Sequence, residues 1–168
     1  MNEGYNFKNN ISKHNVLIIC LSIHHGNTMK IARAISKKLN AEIKKPSEVR
    51  NNDLKNYDLI GFASGIYNGK HHISLFELIN NFKMQRNKKA FVFSTATIIY
   101  KKMHADIKEQ LAAKGFVVID EFMCKGFMNY GFIKYFFGGL NKNRPNENDL
   151  LRAEKFAAKI KDKLYSSN

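Results

Sequence analysis

The chain is short of cysteine, of acidic residues and of long apolar runs, and each shortage removes a class of protein. Its two cysteines, Cys20 and Cys124, cannot build a disulfide framework, and neither stands in a CxxC or Cys/His ligand spacing. A reducing cytoplasm is therefore the expected compartment. No apolar stretch approaches the ~20 residues that span a bilayer. The first fourteen residues hold no apolar core of the signal-peptide kind. They read as a polar leader, residues 1–14, ahead of a single domain over 15–168. Acidic residues number 14 against 28 lysines and arginines, a formal net charge of +14 at pH 7. That balance suits an anionic partner, an acidic protein among them. The cations are scattered along the chain and form no dense block, so they read first as composition, and no specific nucleic-acid site is expected. No metal cluster, acid/base pair or side-chain nucleophile stands out. Asp120 and Glu121 are adjacent on a strand pattern, which points them to opposite faces.

What is present is an alternation of two periodicities. Val16 to Leu21 (VLIICL) is an unbroken apolar run of the kind buried on both faces of a parallel sheet. Ile31, Ala32, Ile35 and Leu39 then mark one face of a helix over 28–39. Glu42 to Lys44 is a weak strand that Pro46 ends. Asp58 to Ala63 is a second buried strand, followed by a glycine-containing loop and a helix carrying Leu75, Phe76, Ile79 and Phe82. Ala90 to Phe93 and Phe116 to Ile119 are further strands. Between them Met103, Ile107 and Leu111 recur every fourth residue, with Gly115 where a helix ends. A last helix carries Ala153, Phe156, Ala157, Ile160 and Leu164, and Asn146 with Asp149 three residues on marks its start. The order predicts a doubly wound α/β domain: a five-stranded parallel sheet, strand order 2-1-3-4-5, with helices on both faces. The segment 123–148 has no clear period. Its aromatic stretch, from Phe127 to Phe137, reads either as a lid or as packing across the sheet edge.

In such a sheet ligands bind at the carboxyl ends of the strands. The loop Ser22-Ile23-His24-His25-Gly26-Asn27-Thr28 leaves that end of the first strand and opens a helix. Successive amides and a helix N-terminus make an anion site there, and Gly26 allows close backbone approach. Ser22, Asn27 and Thr28 carry side-chain donors for phosphate oxygens. The same spacing also describes an ordinary βα turn with a threonine cap. His71 and His72 read as polar residues in a first helical turn, or as proton donors beside a cofactor.

Gly26-Asn27-Thr28, after a strand and a hydroxyl residue, resembles the flavodoxin phosphate loop, in which His25 here takes the place of a threonine. Tyr57 to Gly69 (YDLIGFASGIYNG) resembles the flavodoxin third strand with its flavin loop. Phe93-Ser94-Thr95-Ala96-Thr97 resembles the later loop beside the ring. Gly138-Gly139-Leu140-Asn141 and Arg144-Pro145-Asn146-Glu147 resemble a C-terminal pattern of the same family. The resemblance spans about residues 16–164. It implies one flavin mononucleotide (FMN). The phosphate would lie on Ser22, His24, Gly26, Asn27 and Thr28. The reducible ring edge would lie on Ser64, Gly65, Ile66 and Tyr67, with a second loop of Ser94, Thr95, Ala96 and Thr97. Tyr67 and Tyr100 are the two candidates to stack on the ring. Family members are usually acidic; a chain of +14 should favour the anionic reduced flavin and a less negative potential.

Three functions follow, in this order. The first is an electron carrier for another redox protein, the flavin supplying the chemistry. The second is an FMN-dependent reductase that passes electrons from NAD(P)H to a small acceptor such as a quinone. The third is a basic binding protein that keeps the fold without the flavin.

Overall fold

A computed structural model describes residues 14–100, 102–129, 135 and 138–165. The leader 1–13 and the aromatic residues Tyr130, Phe132, Phe136 and Phe137 lie outside the described residues. The strands are β1 (Val16–Leu21), β2 (Glu42–Lys44), β3 (Leu59–Tyr67), β4 (Lys70–His71), β5 (Lys88–Ala96) and β6 (Phe116–Lys125). The helices are α1 (Asn27–Leu39), α2 (Ile73–Asn80), α3 (Ala105–Ala113) and α4 (Glu147–Tyr165). Five strands form one parallel sheet in the order β2-β1-β3-β5-β6. With the two-residue β4 set aside, this is the expected order 2-1-3-4-5.

Alternation along each strand sorts the core into two layers. Val16, Ile18 and Cys20 pack with α1 and α4, through Ile31, Ile35, Phe156 and Ile160. Leu17 and Ile19 point the other way, onto Leu75 and Ile79 of α2 and Ile107 and Leu111 of α3. Helices thus cover both faces, and every apolar residue of β1 up to Cys20 is buried. Asp120 and Glu121 do face opposite layers: Asp120 meets Lys159 and Lys163 of α4, and Glu121 meets His104 and Lys108 beside and on α3.

Three features depart from the expectation. Ser64 to Tyr67 and Ser94 to Ala96, expected as loops, are strand ends held in register, Ser64 opposite Ser94 and Gly65 opposite Thr95. Asn68 (φ 50°) and Gly69 (φ 81°) then turn β3 back into β4, a two-residue turn with both residues left-handed. Finally, β6 runs on to Lys125, because its charged residues are paired from the helices instead of ending the strand. At the start of α4, Asn146 Oδ1 accepts from the Asp149 amide at 3.1 Å and the Asn146 amide donates to Asp149 Oδ2 at 3.0 Å, a reciprocal cap.

Candidate functional site

The loop after β1 is curled by two successive left-handed residues, His25 (φ 55°) and Gly26 (φ 65°). Gly26 occupies the cap position of α1 and brings no side-chain cap, and the first turn of α1 holds no acidic residue. The positive end of the helix dipole is therefore left for an outside anion. A Cβ at Gly26 would meet nothing within 4 Å, so the backbone faces open space. Nearby, Ser22 Oγ is buried without a hydrogen-bond partner.

The next two side chains, which also line the site, hold the loop to its neighbours. Asn27 Nδ2 donates to the Phe127 carbonyl at 2.7 Å, and Asn27 Oδ1 stays unpartnered. The hydroxyls of Thr28 and Thr95 share a hydrogen bond at 2.8 Å. These bonds fasten the loop to the ends of β5 and β6. Donation to an anion is open to the backbone amides and Ser22, and to the hydrogens that these bonds leave over. Gly126 permits the fastening: a Cβ there would stand 3.1 Å from Asn27 Nδ2 and 3.2 Å from Thr95 Cβ.

The loop opens on a cavity of about 50 Å³. A water needs roughly 10–15 Å³, so the space suits a group of phosphoryl size and not a whole nucleotide. Ser22, His24, Asn27 and Thr28 line it from one side, Gly65 to Tyr67 and Thr95 to Thr97 from the other. Ile23, from the same loop, and Phe127, from the segment read as a lid or as packing, complete it with Gly126 and Met128, which no sequence signal marks. His25 turns elsewhere, its ring 4.7 Å from that of Phe127. Tyr67 folds over Gly65, where a Cβ would lie 3.1 Å from the phenol oxygen. Tyr100 is 48% exposed and donates its hydroxyl to the Gly69 carbonyl at 3.3 Å, at the hairpin tip outside this cavity.

Ser64 and Ser94 point to the α2/α3 layer, where they organise a buried polar cluster. Ser64 Oγ lies 2.9 Å from His71 Nδ1 and accepts from the His72 amide at 3.0 Å. Ser94 Oγ lies 2.7 Å from His104 Nε2, and His104 Nδ1 lies 2.9 Å from Glu121 Oε2. The two imidazoles are neighbours, with ring centroids 4.9 Å apart. Burial, with His104 adding to it, pushes His71 down to about 3. Burial also lowers His104, against the opposing pull of Glu121. His72 acts as a helix cap, its Nδ1 accepting from the Ser74 amide at 3.2 Å. His104 was invisible in the sequence because it precedes its helix without a motif.

A second, larger cavity of about 790 Å³ adjoins the first and shares Ile23, His24 and Tyr67 with it. Among the described residues, no group of three or more His, Cys, Asp or Glu is placed to hold a metal ion, and no helix is long and apolar enough to cross a membrane.

A parallel sheet in this order, with a glycine-bearing loop and an uncapped helix start on its first βα turn, defines a doubly wound domain of the flavodoxin-like class. The chain belongs to the flavodoxin domain family, whose model matches residues 18–144. It is 49% identical over 146 residues to an uncharacterized protein of Methanocaldococcus jannaschii, covering 86% of this chain and 96% of that one. Its fold is similar to oxidised flavodoxin 2 from Bacillus cereus (TM-score 0.68, 20% identity, 89% of this chain and 99% of that one). It is also similar to a flavodoxin from the domain Archaea (TM-score 0.64, 17% identity, 90% and 99%). A third likeness is to rubredoxin oxygen:oxidoreductase from Desulfovibrio gigas (TM-score 0.67, 16% identity), of which the match spans 36%.

Proposed function

We propose that the protein binds FMN at the loop after β1 and carries electrons to or from another redox protein. The observation that carries this reading is the uncapped start of α1 beside the unpartnered Ser22 Oγ, opening on a space of phosphoryl size. An anion satisfies both, whereas an ordinary βα turn would have closed them with its own threonine. Thr28 is instead bonded to Thr95.

The flavin, when bound, supplies the redox chemistry. The chain supplies position and electrostatics. Ser22 Oγ and the first amides of α1 would hold the terminal phosphate, with His24 at its flank. Gly65, Ile66, Tyr67, Thr95, Ala96 and Thr97 form the facing wall and would bear the ring. Tyr67 is the stacking aromatic of choice, since it lines that wall and Tyr100 does not. The bonds of Asn27 to Phe127, and of Asn141 Nδ2 to the Thr97 and Gly126 carbonyls at 2.8 and 3.2 Å, hold the three loops together. No side chain is assigned a catalytic role. The net charge of +14 suits an acidic redox partner, and the cytoplasm is the proposed compartment.

The test is uptake of FMN by purified protein, followed by flavin absorbance and fluorescence. One FMN per chain with quenched fluorescence is expected; protein that stays colourless in excess FMN overturns the reading and favours the flavin-free alternative. The second cavity beside Tyr67 supports a further reading, an FMN-dependent reductase of a small acceptor. Steady-state turnover with NAD(P)H and a quinone separates that enzyme from a carrier.

A further inference from the structure

A third cavity, of about 380 Å³, adjoins the first and shares Asn27 and Phe127 with it. Its size lies within the roughly 300–1,000 Å³ of small-molecule sites. One wall is the start of α1, with Lys30; the other is the turn 141–144.

Both walls are fixed before anything binds. In the turn, Asn141 (φ 55°) and Asn143 (φ 66°) are left-handed, and the Arg144 amide donates to the Asn141 carbonyl at 3.0 Å. Phe127 ties the two walls together. Its carbonyl accepts from Asn27 Nδ2 at 2.7 Å, and its amide donates to the Arg144 carbonyl at 3.0 Å. A group bound between such walls costs little further ordering.

The lining carries charge of one sign. Lys30 and Lys142 are exposed, and among the described residues neither has an ion pair or hydrogen bond. Arg144 is held from behind by Asp149, which is 0% exposed. Nη2 donates to Asp149 Oδ1 at 2.7 Å, and Nε stands 2.7 Å from Oδ2. That grip orients the guanidinium and leaves Nη1, on the opposite edge, without a partner among the described residues. The side chain is 27% exposed, so a ligand can reach it. None of the described lining residues is a carboxylate.

A concave surface of single sign concentrates counter-ions. Asp149 offsets the charge of Arg144, which leaves Lys30 and Lys142 uncompensated. A phosphate dianion matches that surplus. Its several oxygens on one centre can meet an ammonium from each wall and a guanidinium N–H together. A carboxylate brings one charge and two oxygens.

We propose that this third cavity binds a phosphoryl group, free or carried by a small molecule, on Lys30 Nζ, Lys142 Nζ and Arg144 Nη1. None of these three residues lines the first cavity, so the proposal stands whether or not the protein takes up FMN.

NMR titration of the full chain, with and without saturating FMN, tests it. The probes are inorganic phosphate, ribose 5-phosphate and, as the monovalent control, acetate. Ser22 and Thr28 signals report the first cavity, Asn143 and Arg144 signals the third. The latter pair should shift with both phosphates in either flavin state, and acetate should bind about tenfold more weakly. Tighter binding of ribose 5-phosphate assigns the group to an organic phosphate, equal binding to the free anion, and either supports the site. Lys30→Gln with Lys142→Gln should weaken phosphate binding about tenfold. Lys37→Gln with Lys38→Gln removes the same charge about 10–12 Å further along α1, beyond the ~10 Å screening length at 0.1 M salt. Its effect should stay under about twofold. All four lysines are exposed, so both double variants should fold. Equal losses in the two variants, acetate binding as tightly as phosphate, no shift at all, or shifts confined to Ser22 and Thr28 would overturn the proposal.

Discussion

Acidification from pH 7.5 to pH 5 should destabilise the fold through His71 alone by about 2 kcal/mol. The folded ring titrates at about 3, against an ordinary 6.5. Its cause is burial, with the neighbouring His104 adding to it; the ring is 3% exposed. The sign follows from proton counting. Below pH 6.5 the unfolded chain takes up a proton at this site and the folded chain does not. Stability is therefore whole above 6.5 and falls with pH until the folded ring itself titrates near 3. The slope approaches about 1.4 kcal/mol per pH unit, giving about 2 kcal/mol at pH 5 and roughly 5 kcal/mol in all. Since domains are stable by only about 5–15 kcal/mol, this one residue could account for much of the acid sensitivity.

The window also isolates the imidazoles. Asp120 is raised by burial, but the ammonium groups of Lys163 and Lys159 outweigh that and leave it below its ordinary range. Glu42 is lowered, chiefly by the Tyr57 hydroxyl. Their contributions are lost only below about pH 4. His104 shifts in the same direction as His71 and steepens the loss. Urea unfolding at pH 7.5, 6 and 5 measures it. With a denaturant slope of about 2 kcal/mol per molar, the midpoint should fall by about 1 M between pH 7.5 and 5, and by less in His71→Phe. A flat stability from pH 7.5 to 5, or a variant that loses as much as the parent, would refute the reasoning.

Three further outcomes are expected. Ser22→Ala should weaken FMN binding about fivefold to tenfold, the loss of one hydrogen bond, while urea stability holds or rises slightly, because the hydroxyl is unpartnered; isothermal titration and unfolding curves check both halves. Gly115→Ala should destabilise by about 3 kcal/mol, since φ is +77° and the new Cβ would stand 2.0 Å from the Gln85 carbonyl oxygen; thermal unfolding reads it. Asp149→Ala should cost about 3–5 kcal/mol, because it removes the partner of Arg144 and half of the α4 cap from a residue that is fully buried, and the loss should show in the same melt.

The sheet was legible because its strands keep simple patterns. VLIICL can only be buried on both faces, and the four helical stripes are unbroken. The loop after β1 was legible as a spacing. The sequence did not show how its side chains are used: Asn27 and Thr28 serve the neighbouring loops, which depends on contacts about 70 to 100 residues away. The ring loops were read short because Ser64, Gly65 and Ser94 look like turn residues, and only the ladder between β3 and β5 makes them strand. The dipeptide Asn68-Gly69 is itself a hairpin signal, and the turn it makes joins β3 to β4. The continuation of β6 carries Asp120, Glu121 and Lys125, which breaks the apolar run, so Gly126, Phe127 and Met128 could not be brought to the site from pattern alone. His104 and Glu121 meet only through the fold.

That last meeting sets a limit on the chemistry. Ser94, His104 and Glu121 stand in the order of a nucleophile, a base and an orienting carboxylate, at 2.7 and 2.9 Å. Glu121 accepts from His104 Nδ1–H, which leaves Nε2 to accept from Ser94. A hydrolytic role would need Ser94 Oγ open to a substrate carbonyl. Ser94 and His104 are both 0% exposed, and neither lines the first or the second cavity. Lys108, 2.9 Å from Glu121 Oε1, closes the outer end of the chain. The constellation therefore works as a tie that joins β5, the approach to α3, α3 itself and β6. It holds the Thr95–Thr97 wall at a fixed height beside the loop after β1, which a cofactor bound between those walls would require.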